Sequence, residues 1–579
     1  MAFRGARFLG ASWRPGADRA VLSRLRALTS GWTVAEGEGW LLAADKAHVF
    51  AQTADVAFAL AGAYAFDRTA GALVSAATLA AKVGLQGSDA LDGLAPPFRG
   101  AWLEKTSGAL HAATDVFGLG QVFLAAEGGV AALASSATLL GDLMAASLAS
   151  DAMAAYAAFG SFLPVETPFA GVTKLSAGAR ATLSQGRIEI STGPRLPINP
   201  PSTEEALRGA VAAMLQALPD AELELSGGLD SRMILAAMPS AARRGRTAFT
   251  LGVVASPSDD VRVARGLAET EGLNWSVLDI GGMAALDGRA LEELLAHAVA
   301  SYDHMGNPID KAALLTAGEG RTPIARFSGQ NGEILRGFFY PGQPLGAAPS
   351  EALARRLISW RLLSNDRVAD ALLAPALRGE LRARAERRMV EALLSLGGTW
   401  GQTLDRFYLA QRMQSWVGNA VSNRQIEHLP FYPFFDPAFV AAALATSCAD
   451  KRNSRAAYQL LSALDPALAR RPLADGVVPA AFPTSSIGAQ LLDLQLNAAR
   501  FATRLKRRLA KADKATLGSQ TVAQQWHRLR LYEHLPLDGL ARSGLFDPAG
   551  LARIASGEWL PDRPTLGFLL LVAGLETRP

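Results

Sequence analysis

A chain of 579 residues is too long for one ordinary domain, so we expect two or more. Half of the residues are hydrophobic, and 57 Lys and Arg against 53 Asp and Glu give a formal net charge of +4, too weakly basic to argue for a nucleic-acid partner. The single cysteine, Cys448, excludes an internal disulfide and a cysteine metal cluster, and with no visible signal peptide it predicts a cytoplasmic protein. The apolar stretches at 54–66 and 144–163 are too short or too interrupted to span a bilayer, so no membrane partner is expected.

Residues 1–190 alternate short β-like runs with Gly and Asp turns, for example at 98–104, 110–114, 121–125 and 131–136. This spacing predicts an antiparallel sheet domain with inserted helices. A proline-rich stretch at 191–204, with Pro200 and Pro201 adjacent, is predicted to be a linker. Ser202 or Thr203 then caps a predicted helix that runs to about Leu218 and opens a second domain, 205–579.

The sequence SGGLDS at 226–231 lies between an apolar-alternating run at 221–225 and the predicted start of a helix at 232–238. A strand, a Gly-rich turn and a helix together build an anion site, because free N–H groups and the helix dipole converge there. Gly227 and Gly228 allow close backbone approach to a phosphate, and Ser226 and Ser231 add hydroxyl groups. Asp230 suits a ligand for Mg²⁺ that bridges to phosphate oxygens. The alternative is a surface turn rich in Ser, Gly and Asp.

Beyond this loop, strand and helix patterns alternate as they do in a parallel α/β sheet. Strands are predicted at 247–254, 275–280 and 323–327, and helices at 259–272 and 291–300. Ligands of such sheets lie at the carboxyl ends of the strands, which places the 226–231 loop, the end of 247–254 and the turn after Phe327 around one crevice. Asp303 and His304 fall near that edge, in a pocket role or a structural one. A helical remainder is predicted from about Ser350.

The SGGLDS sequence resembles the pyrophosphate-binding loop of the ATP-pyrophosphatase enzymes, in particular the asparagine synthetase family. The SGQNGEILRG sequence at 328–337 resembles that family's SGEGxDExFGG segment. The resemblance implies that ATP is the cofactor and that Asp230 and Glu333 hold Mg²⁺. It also implies a set of ATP-binding residues, which are Leu225, Ser226, Gly227, Gly228, Leu229, Asp230, Ser231, Thr250, Leu251, Gly252, Ser328 and Gly329.

Two departures from the family concern catalytic side chains. Gln330 lies where asparagine synthetases carry Glu and β-lactam-forming relatives carry Tyr, residues that help to deprotonate the attacking amine. An amide has no useful pKa for that task, so either another group is the base or the amine arrives neutral. Near 471–475 the family's oxyanion-stabilising Lys is missing, and Arg471 or its neighbour Arg470 is the candidate for that positive charge. For Asp259 and Asp260, which resemble the family's SD pair, a capping role competes with a ligand role.

The N-terminal part resembles the glutaminase domain of the same family. Its 100–102, 115–118 and 134–137 segments resemble the GxFA strand, the DRxG turn and the ASE segment. Working glutaminases of this type carry Cys after the initiator Met, whereas this chain has Ala2, and Phe117 replaces the Arg of the turn. We therefore expect a glutaminase-like (Ntn) α+β sandwich that is a scaffold and does not hydrolyse glutamine.

The expected architecture is that sandwich followed by an α/β ATP-pyrophosphatase synthetase domain. This second domain would have the adenine nucleotide alpha hydrolase-like fold and a helical C-terminal part. The expected reaction is ATP-dependent amide formation through an acyl-adenylate, and the first choice is macrolactam closure of a lasso precursor peptide. Its partners would be that peptide, or an amino-acid carboxylate substrate, and a leader peptidase or leader-binding protein. The alternatives are an asparagine synthetase using ammonia or glutamine, a β-lactam-type synthetase, and a nucleotide-binding pseudoenzyme. The basic segment 500–514 is a solvated helix face or a docking face for an acidic peptide.

Overall fold

The computed structural model describes residues 6–318, 325–363, 366–424, 429–482 and 518–577. Ala2 and the basic segment 500–514 lie outside these residues. Within them, the N-terminal part contains two six-stranded antiparallel sheets, ordered β12-β10-β11-β1-β3-β2 and β14-β13-β9-β8-β5-β4, and the hairpin β6-β7. The strands are β1 (Phe8–Trp13), β2 (Thr33–Gly37), β3 (Trp40–Ala44), β4 (Phe50–Gln52), β5 (Val56–Leu60), β6 (Ala65–Asp67), β7 (Ala72–Val74), β8 (Arg99–Glu104), β9 (Ala109–Thr114), β10 (Phe123–Glu127), β11 (Val130–Ala134), β12 (Val172–Lys174), β13 (Ala179–Ser184) and β14 (Arg187–Thr192). The helices are α1 (Arg19–Leu28), α2 (Ala76–Gln86), α3 (Ala137–Met144) and α4 (Ser150–Phe159).

The two sheets pack face to face, and helices cover their outer faces. Strand β13 shows the cause, because fully buried residues alternate along it with less buried ones, as expected for a strand with one face in a core. At Gly10 the sheets approach so closely that a Cβ would lie 2.7 Å from Leu110 of the other sheet. Leu25 of α1 packs in the cluster beneath the first sheet, and Leu79 of α2 packs beneath the second. The predicted antiparallel organisation is therefore confirmed, as a sandwich with a helical layer on each side.

The connection to the next part begins after β14 and ends at a well-capped helix, α5 (Thr203–Ala217). Ser202 is the N-cap: its side chain accepts a hydrogen bond from Glu205 N, and the Glu205 carboxylate accepts one from Ser202 N. This reciprocal capping box satisfies two N–H groups that the helix itself leaves open. The predicted start and end of this helix are confirmed within one residue.

The central sheet is parallel, with strand order β17-β16-β15-β18-β19 in the described residues. Its strands are β15 (Glu222–Glu224), β16 (Thr247–Gly252), β17 (Asn274–Asp279), β18 (Ala325–Phe327) and β19 (Leu429–Phe431). The associated helices are α6 (Leu229–Ala237), α7 (Ser240–Arg243), α8 (Asp259–Glu271), α9 (Gly288–Ser301) and α10 (Pro308–Gly318). The predicted strand 247–254 ends two residues early, because Val254 N donates to the side chain of Asp279 and leaves the ladder.

The remainder was predicted to be all-helical from about Ser350, and it is mostly so, but the strand β19 lies within it and pairs with β18. Its α-helices are α11 (Glu351–Leu357), α12 (Arg382–Leu394), α13 (Trp400–Phe407), α14 (Gly418–Arg424), α15 (Pro437–Ala445), α16 (Cys448–Lys451), α17 (Arg455–Leu464), α18 (Pro466–Ala469), α19 (Ser519–Arg528), α20 (Leu537–Arg542), α21 (Pro548–Ala555) and α22 (Arg563–Glu576). The segments Ile358–Leu362, Leu377–Leu381 and Tyr408–Val417 are π-helical. Among the described residues, no helix has the length and apolar character needed to cross a membrane.

Buried polar groups join the N-terminal sandwich to the rest of the chain. The Arg99 guanidinium donates to the carbonyl of Ser135 at 2.8 Å and, across the interface, to that of Ser422 at 2.7 Å. From the other side, the Asp303 carboxylate accepts hydrogen bonds from Ser136 Oγ at 2.7 Å and from Ala137 N at 2.5 Å, at the start of α3. Asp303 therefore has a structural role at the interface, which decides between the two roles considered for it.

Candidate active site

The 226–231 loop leads from β15 into α6, which begins at Leu229 and not at 232 as predicted. The hydroxyl groups of the loop hold its shape. Ser226 N donates to Ser231 Oγ at 3.0 Å, the two Oγ atoms lie 2.9 Å apart, and Gly228 N donates to Ser226 Oγ at 3.2 Å. Gly228 is the N-cap of α6 and supplies no capping side chain. The first turn of this helix thus presents N–H groups and the positive end of its dipole to the crevice, as in helix-terminal anion sites.

Neighbouring segments approach the loop too closely for a side chain at Gly227. A Cβ there would lie 3.0 Å from Ala474 Cβ, from Val263 Cβ and from the carbonyl oxygen of Asp260. Gly227 N donates to Asp260 Oδ1 at 3.0 Å. The first-turn residue Asp260 therefore fixes the loop, whereas Ser258 is the N-cap of α8, so the capping role considered for Asp259 and Asp260 is wrong. Ser258 takes the cap because its hydroxyl is positioned to accept from Val261 N.

The 328–337 motif packs directly on Asp230. A Cβ at Gly329 would lie 3.2 Å from Asp230 Cβ, and one at Gly332 would lie 2.6 Å from Asp230 Oδ1. Between these glycines, Asn331 has a left-handed φ of 76° and donates through its side chain to the Phe434 carbonyl at 2.7 Å. Ser328 is buried and its N–H continues the sheet pairing by donating to Phe431 O at 2.9 Å. The two sequence motifs thus meet at one point, at the carboxyl ends of β15 and β18.

The charged groups at this point are Asp230, Glu333 and Arg336. Arg336 Nη1 lies 2.9 Å from Asp230 Oδ2, while Asp230 Oδ1 is buried and has no hydrogen-bond partner among the described residues. Burial raises the pKa of Asp230, the charge of Glu333 raises it further, and Arg336 opposes both. Glu333 Oε2 accepts a hydrogen bond from Tyr408 OH at 3.0 Å, which fixes the carboxylate.

This set of carboxylates fits Mg²⁺ bound together with a nucleotide. Within the described part of the chain, no group of three or more His, Cys, Asp or Glu residues is arranged to hold an ion by itself. Mg²⁺ at phosphate sites usually takes one or two protein carboxylates and completes its shell with phosphate oxygens and water. Asp230, with an unpartnered oxygen, and the neighbouring Glu333 are the residues that would hold it.

The residues implied to surround the adenosine form the carboxyl end of β16. Thr250 is buried, and its hydroxyl donates to Leu225 O at 2.7 Å and accepts from Trp275 Nε1 at 2.9 Å. Leu251 is half-buried, and Gly252 is covered by Val261, whose Cγ2 would lie 2.7 Å from a Cβ. The Thr250 hydroxyl is thus engaged in positioning the strand end against the loop.

The turn at 471–474 lies over the 226–231 loop, and a buried arginine holds it there. Arg232 Nη1 donates to Arg471 O at 2.7 Å, Arg232 Nη2 donates to Pro472 O at 2.9 Å, and Ala474 N donates to Gly227 O at 3.0 Å. Burial, with the nearby charge of Arg471, lowers the pKa of Arg232 to about 10. Arg471 is thus close to the loop through its backbone, and its side chain adds positive charge nearby.

One predicted site residue lies apart from the buried charges, and three side chains that the sequence did not predict lie at or near the site. Gln330 is exposed at the rim. Lys451, which the sequence reasoning missed, is fully buried, and its ammonium lies 2.6 Å from Asp405 Oδ2. Arg336 and Tyr408 were also missed, since only the fold brings them to Asp230 and Glu333. The only feature of the sequence that could have identified Arg336 as a site residue is its position inside the 328–337 motif.

Comparison with known proteins gives one family match, which covers part of the chain. Residues 202–331 match the asparagine synthase family model, so the match begins at the Ser202 cap and contains the whole 226–231 loop. No curated protein matches the chain. Among solved structures, glutamine phosphoribosylpyrophosphate amidotransferase from B. subtilis, complexed with ADP and GMP, matches with 11% identity and a TM-score of 0.23. That match covers 47% of this chain and 65% of the other, and it is too weak to assign a fold. The family match supports ATP-dependent amide-bond ligation in broad terms.

Proposed function

We propose that this chain is an ATP-dependent ligase that activates a carboxylate as an acyl-adenylate and lets an amine displace AMP. The observation that carries the proposal is the meeting of the two motifs, which brings Glu333 beside Asp230 and leaves Asp230 Oδ1 without a partner in the described residues. In the reaction, the substrate carboxylate oxygen attacks the α-phosphorus and pyrophosphate leaves; the amine then attacks the acyl carbon, loses a proton, and AMP leaves. Mg²⁺ would neutralise charge on the phosphates when bound.

The N–H groups of the loop and of the first turn of α6 would bind the departing pyrophosphate. They are fixed before the reaction by the Ser226–Ser231 contacts, so little reorganisation is needed when negative charge develops. The 471–474 turn would exclude water from the same side. These residues would bind and orient the substrates. Tyr408 is poorly suited to deprotonate the amine, because burial and the charge of Glu333 raise the pKa of its hydroxyl.

The finer assignment we propose is macrolactam closure, in which the amine and the acid belong to one peptide. It is supported by the expected loss of the glutaminase reaction, since Phe117 replaces the Arg of the DRxG turn. The turn that resembles DRxG is also engaged structurally: the Asp115 carboxylate accepts from the N–H groups of Phe117 and Gly120. Nearby, Gln121 Nε2 donates to Gln414 O at 2.9 Å, across the interface. In this proposal the sandwich is a glutaminase-like scaffold, and an intramolecular amine gains a high effective concentration.

One observation favours a second candidate, a nucleotide-binding protein without ligase activity. Arg336 already neutralises one oxygen of Asp230, which is the charge that a metal ion would otherwise supply. The two candidates predict different behaviour towards Mg²⁺. A ligase would release pyrophosphate only when Mg²⁺ is present. A binding protein would release none, and its affinity for ATP would be the same with and without Mg²⁺.

The test is pyrophosphate release from ATP and Mg²⁺ by the full chain, with acidic peptides, with aspartate plus ammonia, and with no acid. We expect acid-dependent release that falls about 100-fold or more in Asp230→Asn, because the metal loses its carboxylate. The exposed residue Asp220 precedes the same strand, so Asp220→Asn is the matched control and should stay within about twofold of the parent, as surface changes usually do. Mass loss of one water from a peptide would establish ring closure. ATP binding without release under every condition would favour the second candidate.

A further inference from the structure

One continuous helical run joins the candidate active site to the N-terminal sandwich. The run begins as α13, continues as the π-helical segment Tyr408–Val417, and ends as α14. The π-helical segment is ten residues long. π-Helices are rare, occur mostly as a single widened turn within an α-helix, and are frequent at functional sites. A segment of this length therefore needs contacts that stabilise its hydrogen-bond register against the α-helical one.

One face of the π-helical segment lies toward the candidate active site. Tyr408 OH, at the first residue of the segment, donates to Glu333 Oε2 at 3.0 Å. The ring centroids of Tyr408 and Phe338 lie 5.3 Å apart, and Arg412 Cζ lies 4.5 Å from the same Phe338 centroid. This face of the segment thus fixes the carboxylate that would hold Mg²⁺.

Another face of the same segment is held by the N-terminal sandwich. Gln411 is buried, and its Nε2 donates to Ser161 Oγ and to Phe162 O, both at 3.1 Å. Gln414 is also buried and packs closely on the sandwich, since a Cβ at Gly118 would lie 2.6 Å from Gln414 Nε2. The side chains of the segment are therefore shared between the candidate active site and the sandwich.

A further contact from the sandwich is made at the carbonyl group that distinguishes the two registers. In an α-helix Gly418 N would donate to Gln414 O, whereas here it donates to Met413 O, one residue further back. Gln121 Nε2 of the sandwich donates to Gln414 O at 2.9 Å. The sandwich thus supplies a donor to the carbonyl that the α-helical register would give to Gly418.

The polar side chains of the segment are incompletely satisfied. Gln411 Oε1, Gln414 Nε2 and Ser415 Oγ are buried and have no hydrogen-bond partner among the described residues. A buried polar atom without a partner destabilises a fold. The π-helical register therefore depends on the contacts that Gln121 and Ser161 make from the sandwich.

We infer that the sandwich sets the π-helical register of residues 408–417 and so positions Tyr408 on Glu333, with Gln121 as the positioning residue. The inference rests on the proposed function and deepens it, since it gives a domain expected to lack glutamine hydrolysis a role in the ligase site. A shift of register by one residue rotates the side chains on one side of the shift by about 100° relative to the other side. Such a rotation would take the Tyr408 hydroxyl away from Glu333.

The first test follows Tyr408 directly, by fluorine NMR of the full chain labelled with fluorotyrosine. The signal of Tyr408 is the one that Tyr408→Phe removes. We expect Gln121→Leu, which keeps a similar size and donates no hydrogen bond, to shift this signal. Gln52 is an exposed glutamine of the same sandwich, so Gln52→Leu is the matched control and should leave the signal in place. Ser161→Ala, a milder change that removes one acceptor of Gln411, is the second variant and should also shift it.

The second test is a double-mutant cycle, with binding of a non-hydrolysable ATP analogue measured as Mg²⁺ is varied. We expect Tyr408→Phe and Gln121→Leu each to raise the Mg²⁺ concentration for half-maximal binding about tenfold, as loss of a group that orients a metal ligand does. Because Gln121 acts through Tyr408, the double variant should stay within about twofold of Tyr408→Phe alone.

Three results would overturn the inference. They are an unchanged Tyr408 signal in Gln121→Leu and Ser161→Ala, an unchanged Mg²⁺ requirement in Tyr408→Phe, and additive effects of the two substitutions in the cycle. Failure of the proposed function would look different, because the Tyr408 signal would still shift in Gln121→Leu while no acid stimulated pyrophosphate release.

Discussion

At Gly332 the absence of one methyl group allows two distant segments of the chain to meet. A Cβ there would lie 2.6 Å from Asp230 Oδ1, closer than real contacts of this kind. The glycines of the 328–337 motif therefore serve packing on Asp230 as well as any approach of a phosphate. The spacing of Gly329 and Gly332 is thus explained by their close packing on Asp230.

Lys174 lies in an environment that disfavours the charged form of its side chain. It is 3% exposed at the end of β12, and its ammonium has no hydrogen-bond partner among the described residues. Burial lowers its pKa from 10.5 to about 7, and the nearby charge of Glu166 opposes the shift. Between these pKa values the unfolded chain binds a proton that the folded chain releases, so the free energy of unfolding rises with pH across this window.

We predict that Lys174→Met stabilises the protein at pH 7 and that this gain shrinks as the pH approaches 10. The methionine removes the cost of burying a cation, on the order of 4 kcal/mol from a shift of this size, and it keeps an unbranched side chain. Urea unfolding at pH 7 and at pH 9.5 measures the effect. Lys46→Met changes an exposed lysine and serves as the control. A difference between variant and parent that is constant across the window would refute the account.

At the scale of elements, the geometry of the site depends on one buried arginine at the start of α6. Arg232 lies wholly inside the protein and donates to carbonyl groups of the 468–472 segment, which holds the 471–474 turn against the loop. A guanidinium can serve several carbonyls at once because its donors form a rigid fork, whereas an ammonium is a point donor. The position of the turn thus depends on the shape of this side chain as well as its charge.

We predict that Arg232→Lys lowers the rate of acid-dependent pyrophosphate release about tenfold while the fold persists. At least one carbonyl would lose its donor, and an unsatisfied buried group costs about 1–3 kcal/mol. Steady-state kinetics and circular dichroism measure the two parts of the prediction. Arg244→Lys, at an exposed position just after α7, should have no effect on either. Unchanged kinetics in Arg232→Lys would show that the turn has no role in turnover.

At the scale of the whole molecule, the N-terminal sandwich and the rest of the chain form one structure through buried polar contacts. Asp303 caps the start of α3 from outside the sandwich, and its charge also lies near Arg99. Burial lowers the pKa of Arg99 to about 10, and the charge of Asp303 opposes this shift. Burial likewise raises the pKa of Asp303, and its hydrogen bonds from Ser136 and Thr138 oppose that. The charge of Asp303 on Arg99, and the hydrogen bonds from Ser136 and Thr138 on Asp303, thus favour the charged forms that burial disfavours.

We predict that Asp303→Asn lowers the free energy of unfolding by about 2–4 kcal/mol. The amide keeps the shape and tolerates the left-handed φ of 51°, but it carries no charge and points a donor at the N–H groups of α3. Urea unfolding followed by circular dichroism measures the loss, and limited proteolysis should show earlier cleavage between the two parts. Asp55→Asn, at an exposed turn, is the control. A loss below about 0.5 kcal/mol, typical of a surface substitution, would contradict the assigned role.

Much of the fold follows from local sequence. The alternation in the first 190 residues, the Ser202 cap and the strand–loop–helix around 226–231 were predicted, because side-chain periodicity, capping and glycine turns act over a few residues. Strand ends were less accurate, since β16 ends where a side chain from the next strand, Asp279, takes its hydrogen bond. The assignment of Ser258 rather than an Asp as the cap of α8 depends in the same way on a contact made by the neighbouring loop.

The sequence by itself predicted four strands of the parallel sheet, but not β19, and it predicted the two motifs that follow β15 and β18 and the carboxylates Asp230 and Glu333. The tertiary structure decided which charges surround them: Arg336 pairs with Asp230, Tyr408 fixes Glu333, and the Arg232-held turn at 471–474 covers the loop. It also decided that Lys451 forms a buried ion pair with Asp405 and that Arg452 borders an open cavity. The physical reason is that burial and pairing of a charge depend on groups hundreds of residues away, which no local pattern records.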